Sequence, residues 1–196
     1  MKVKEILSEA RTGSTIVVDV QPAYSSAINF TPQLMQHLNK QKQILMLINS
    51  DKEGLTDDSS QDVKDYWDEN GFENWNNVKL IDKGYGYLRN WMDQGISERV
   101  IIKTIREMYS QGVTDSRDLF EYTDDQVESF SNFVGNEFED WMLDDAISVE
   151  WISVKLLKSF SGSYITGGGK NECLKEVELL MSAFNIRTTR INKFIY

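Results

Sequence analysis

Apolar residues fall along this chain in two kinds of run. Thr15-Ile16-Val17-Val18-Asp19-Val20 and Ile44-Leu45-Met46-Leu47-Ile48 are short, nearly unbroken and rich in branched side chains. That is the form of strands buried on both faces, as in a parallel sheet. Pro22 cannot extend a ladder, so the first strand is expected to end near Val20. Between the two runs, Thr31-Pro32 reads as an N-cap with Pro in the first helical position, and Leu34, Met35 and Leu38 follow at helical spacing. Strand, helix, strand over this length is a βαβ unit.

The alternation continues. Ser60 to Asp68 looks helical, Val78 to Asp82 reads as a third strand, and Tyr85 to Met92 looks helical. Ser97-Glu98-Arg99 opens an amphipathic helix with Val100, Ile101, Ile105 and Met108 on or near one face, and Gly112 ends it. Two further helices are expected within 115–145, the second capped by Thr123 with Asp124 and Asp125 in its first turn. Ser153 to Phe160 is a short helix, Ser163 to Thr166 a short strand and Gly167-Gly168-Gly169 a turn. Asn171 to Phe184 is a periodic helix with Leu174, Val177, Leu180, Met181 and Phe184 inward, and Thr188 to Ile195 alternates as a last strand. The fold class that follows is α/β: a doubly wound, mostly parallel, Rossmann-like sheet in a single domain over 1–196, with a helical acidic insertion at about 97–160.

Composition narrows the function classes. With 196 residues, 40% hydrophobic and 11% aromatic, the chain is long and apolar enough for a sizeable core. Its apolar runs fall short of the roughly 20 residues a membrane helix needs, and Met1 to Glu5 leads into no apolar signal region. A cytoplasmic, soluble protein is the expectation. Cys173 and His37 are the single cysteine and histidine, which leaves no internal disulfide and no Cys/His zinc centre. The net charge of -10 argues against generic nucleic-acid binding.

That charge is uneven. Stretches 51–73 and 115–145 carry net -7 and -10, while 1–50, 74–114 and 146–196 carry +2, +2 and +3. The acidic blocks read as solvated surface or as a partner-facing or metal-binding surface. The remainder is neutral to basic, suited to a small anionic ligand.

Ligands of open α/β sheets bind beyond the carboxyl ends of the strands. There the sequence places Asp19, Asn49-Ser50-Asp51, Asp82-Lys83 and the segment Gly167 to Cys173. Cys173 lies at a helix start, where backbone N–H groups lower a thiol's pKa and can hold an oxyanion; a small buried packing residue is the plainer alternative. Asp19 could serve as general base or metal ligand, and Lys83 could stabilise developing negative charge. Gln21, Tyr24, Gly167, Gly168, Gly169 and Asn171 border these three and are the candidate binding residues. No metal or other cofactor is expected at such a site.

These segments resemble the isochorismatase-like cysteine hydrolases, which include nicotinamidases. Ile16 to Gln21 is similar to the family's first strand ending in Asp-x-Gln, Leu80 to Tyr85 to the strand that delivers its lysine, and Gly167 to Cys173 to its glycine, five residues and nucleophilic cysteine. The resemblance implies a thiolate at Cys173 attacking a carbonyl, Asp19 as proton shuttle and Lys83 supporting the pair, on a small amide or related compound.

Two other readings stay open. Asp19, Asp51, Glu53, Asp115 and Asp118 could gather around Mg²⁺ or Mn²⁺ in a PIN-like nuclease. Alternatively, Trp67, Trp75, Trp91, Trp141 and Trp151 mark either an interface or a satellite core. The interface reading makes a non-catalytic binding protein, in general style like accessory proteins of tailed phages, and leaves room for a homo-oligomer.

Overall fold

The computed structural model describes residues 13–49, 58–83, 92–93, 95–110 and 152–196. Its elements in chain order are β1 (Ser14–Val18), α1 (Thr31–Leu38), β2 (Gln43–Ile48), α2 (Ser60–Glu69), β3 (Val78–Asp82), α3 (Glu98–Ser110), α4 (Val154–Ser159), β4 (Tyr164–Gly167), α5 (Cys173–Ala183) and β5 (Thr189–Arg190). The five strands form one sheet in the order β3-β2-β1-β4-β5, and every pairing is parallel. This is the doubly wound α/β architecture the alternating pattern predicts.

Period-two alternation splits the core between the two faces of the sheet. Ile16, Val18, Leu45, Leu47 and Ile165 point to one side, where Ile101 and Ile105 of α3, Leu157 of α4 and Leu174, Val177 and Met181 of α5 cover them. Val17, Ile44, Met46 and Ile48 point to the other, under Leu34, Met35 and Leu38 of α1 and Val63 and Trp67 of α2. All six residues of Ile44 to Asn49 are buried, which is why β2 shows no polar alternation in the sequence. Trp67 is fully buried, donates from Nε1 to Val20 O at 2.7 Å, and packs edge-on against Phe72. It is core, whereas Trp75 is half-buried above it.

The first acidic block is partly structural. Ser59 and Asp62 form a reciprocal capping box at the start of α2. Asp58 is buried and accepts hydrogen bonds from Gln21 Nε2 and the Ala23 N–H. The solvated reading of this block holds for its exposed members, not for Asp58.

Several boundaries differ from the sequence pattern. β1 ends at Val18, because Asp19 turns to a left-handed φ of 46°. Phe30, not Thr31, is the N-cap of α1, and the Thr31 hydroxyl is bonded to that of Tyr66 at 2.8 Å. α5 begins at Cys173 rather than Asn171. The last strand is only two residues long and is followed by a 3-10 turn over Asn192–Phe194. Asn192 and Lys193 are exposed in succession, which breaks the alternation, and Phe194 then turns into the core against Phe30. The helices expected within 115–145, most of Tyr85 to Met92 and residues 111–151 of the expected insertion lie outside the described residues. So do Trp91, Trp141 and Trp151.

Candidate active site

The sheet order reverses direction at β1. The chain winds outward from β1 through β2 to β3, and then β4 pairs on the opposite side of β1. The crevice at the carboxyl end of this switch point is where α/β folds hold ligands. Three side chains meet there.

Asp19 stands immediately after β1, 1% exposed, with its N–H bonded to Leu47 O. A non-glycine residue in the left-handed region costs of order 1 kcal/mol and is concentrated at functional sites. Lys83 follows β3, its backbone N–H held by Ile48 O at 2.8 Å. Two strand spacings, about 9–10 Å, separate β3 from β1, and the long lysine side chain bridges them over the end of β2. Its Nζ meets Asp19 Oδ2 at 2.9 Å, with both groups buried. Burial alone would lower the Lys83 pKa, but the Asp19 carboxylate, and after it Cys173 and Glu176, hold it well above the ordinary lysine value.

Cys173 is the first residue of α5, as the position of the glycines before it suggests. Gly167 and Gly168 both take left-handed conformations that the chain needs to turn from β4 into that helix. Asp19, Lys83 and the Gly169 backbone all lie close enough to the Cys173 thiol to act on its ionisation. The helix-start position does not prevail in setting its ionisation. Burial first, then the negative charge of Asp19, push the thiol up to about 12, against the lowering by Lys83 and the Gly169 N–H. The resting group is therefore a neutral thiol, and the lowered pKa expected from the helix N-terminus is corrected. Alkylation of Cys173 by iodoacetamide should run about 10³ slower at pH 7 than that of a free cysteine, rising about tenfold per pH unit toward 12. A rate at pH 7 equal to that of a free thiol would contradict this.

Asp19 Oδ1 is buried and carries no formed hydrogen bond. One carboxylate oxygen is thus fixed by Lys83, and the other has no hydrogen-bond partner. Glu176, one turn along α5 from Cys173, is buried and adds its charge near Lys83.

The candidate binding residues divide. The Gln21 amide is fully buried and engaged: Nε2 donates to Asn49 O and Asp58 Oδ2, and Oε1 accepts from the Asn49 N–H. It ties the end of β1 to the end of β2. Tyr24 borders the crevice and is half-buried, its phenol pKa raised by burial and by Asp19, and its hydroxyl accepts from Asn49 Nδ2. Gly167, Gly168 and Gly169 are buried in the turn, while Asn171 is exposed. Sequence reasoning missed Tyr196, whose hydroxyl donates to Asp19 O at 3.1 Å and lies near the Cys173 thiol. It also missed Glu176 and Asp58. A buried-looking aromatic at the end of the last alternating stretch was the one available signal for Tyr196.

Asp51, Glu53, Asp115 and Asp118 of the nuclease reading lie outside the described residues, and among the described residues no group of three acidic, histidine or cysteine side chains is placed to hold a metal ion. Among the described residues no helix is long and apolar enough to cross a membrane. A separate cleft of about 420 Å³ lies between α2 and the edge strand β3, lined by Gln61, Lys64, Asp68, Trp75, Val78 and Leu80, and none of the three converging residues lines it. No protein-family model, no curated protein and no solved structure matches the chain.

Proposed function

We propose that the protein is a thiol-dependent hydrolase of a small amide or related carbonyl compound, allied to the isochorismatase-like cysteine hydrolases. The observation that carries this reading is the buried meeting of Asp19, Lys83 and Cys173, brought together from three distant chain segments.

Burying an ion pair beside a thiol is costly to stability and has a chemical use. As a carbonyl substrate settles against Cys173, the thiol proton passes to Asp19 Oδ1 and the sulfur bonds to the carbonyl carbon. The carbonyl oxygen gains the electron pair of its broken π bond, and the first N–H groups of α5, which lack carbonyl partners within the helix, face developing charge of this kind. Collapse expels the amine, which takes its proton from Asp19, and leaves a thioester on Cys173. Water, deprotonated by Asp19, then releases the acid and restores the thiol. Lys83, on Oδ2, holds Asp19 in place while Oδ1 gains and gives up the proton.

The test is covalent capture. Incubated with p-nitrophenyl acetate, the wild-type chain should carry one acetyl group on Cys173 by intact-mass and peptide analysis. Cys173→Ala should carry none there, and Asp19→Asn should acylate at least about 10²-fold more slowly, the usual scale of a general base. Acylation of Cys173 at equal rates in wild type and Asp19→Asn, or its absence from the wild type, would overturn the reading.

A further inference from the structure

Tyr196 reaches the site from the far side of the last strand. Its backbone is clamped to the cysteine loop in both directions: the Lys170 N–H donates to Tyr196 O at 2.7 Å, and the Tyr196 N–H donates to Gly168 O at 3.2 Å. Its ring lies 6.3 Å from that of Tyr24, so the two tyrosines together border the crevice. Its hydroxyl donates to Asp19 O, the carbonyl of the residue held in the left-handed conformation. Cys173 lies near enough to the phenol to act on its ionisation. One phenol is therefore bonded to the backbone of Asp19 and lies near the Cys173 thiol, in a crevice where Asp19 Oδ1 is buried and has no formed hydrogen bond.

We infer that Tyr196 is a working residue of this site: its hydroxyl positions Asp19 at rest and donates to the Cys173 sulfur as the thiolate forms. A phenol O–H has one proton, so the two roles alternate. While the thiol is neutral the proton is directed to Asp19 O. When the thiol proton leaves for Asp19 Oδ1, the sulfur becomes the stronger acceptor, and the O–H rotates about its C–O bond to meet it. No bond is broken at Tyr196. Its own ionisation is held far above the ordinary tyrosine range by burial and then by the charges of Cys173 and Asp19, so it remains a donor throughout.

The inference rests on the hydrolase reading, and its test needs no substrate. The rate of Cys173 alkylation by iodoacetamide is followed between pH 8 and pH 10 in wild type and Tyr196→Phe. The ring and its packing are retained and only the donor is removed. The rate at each pH should fall about 3- to 10-fold, with the same slope, because loss of one hydrogen bond to an anion shifts the thiolate equilibrium by that amount. A thermal melt taken alongside separates this from unfolding. In a second variant, 3-fluorotyrosine at position 196 keeps the ring and sharpens the donor, and the rate should rise. Equal rates in all three proteins, or faster labelling of Tyr196→Phe, would overturn the role of Tyr196. If wild type is alkylated as expected but fails to acylate, the hydrolase reading fails while the thiolate contact stands.

Discussion

Lys83→Met should lower the stability of the fold by about 3–5 kcal/mol, read as a shift in the midpoint of urea unfolding with little change in slope. The methionine fills similar volume but leaves the Asp19 carboxylate buried and unpaired, since Lys83 Nζ at 2.9 Å is the cation on Asp19 Oδ2. The cost comes from that stranded charge, not from a lost net attraction. The double variant Asp19→Asn with Lys83→Met should accordingly recover much of the loss, because the stranded carboxylate of Asp19 is then gone. If the double variant is no more stable than Lys83→Met alone, the burial of an uncompensated carboxylate is not what the single change exposes. The expectation has a functional corollary: a pair that adds little to stability and is hazardous when broken persists most readily where its charges are used.

Gly167→Ala should be comparably damaging, by about 3 kcal/mol or more, and should also remove the acylation of Cys173. A Cβ at Gly167 would stand 2.4 Å from Val18 O and 2.7 Å from Val20 Cγ2, and the residue's φ is +77°. The nearest obstacle is backbone of the adjacent strand β1, which cannot rotate aside as a side chain can. Relief therefore requires β4 to separate from β1, at the residue that begins the turn carrying the nucleophile. Gly162, with φ +87° and nothing within 4 Å of its would-be Cβ, is the comparison. Alanine there should cost only the left-handed strain, about 1–2 kcal/mol. Similar losses at the two positions by urea unfolding would show that conformational strain, not the contact with β1, dominates.

The sheet was legible in the chain because its strands are buried on both faces. Ile44 to Ile48 and Ile16 to Val18 are apolar runs that no amphipathic helix would tolerate, and the long helix ending near Phe184 shows its 3.6-residue period plainly. Order along the chain does not reveal order across the sheet, yet the rule that ligands lie beyond strand ends was enough to single out Asp19, Lys83 and Cys173. What the sequence concealed depends on distances between remote segments. Nothing around Tyr196 in the chain indicates that its hydroxyl lies on Asp19, 177 positions away. Gln21 looks like a ligand-facing polar residue, but its neighbours in space, Asn49 and Asp58, occupy its amide entirely. The ionisation of Cys173 was read with the wrong sign for a related reason: a helix start is a local feature, whereas the burial that outweighs it is a property of the assembled fold.

The pairing of β1 on both of its edges bears on how freely the rest of the chain can change. Ser14 pairs with Gln43 on one side, and Ser14 Oγ is bonded to Ser163 Oγ, 149 positions away, on the other. Parallel pairing on both edges of β1 thus keeps Asp19 and the turn before Cys173 in fixed register, whatever the length of chain that joins them. Variation in length and charge, including the acidity concentrated in 115–145, is thereby uncoupled from the chemistry.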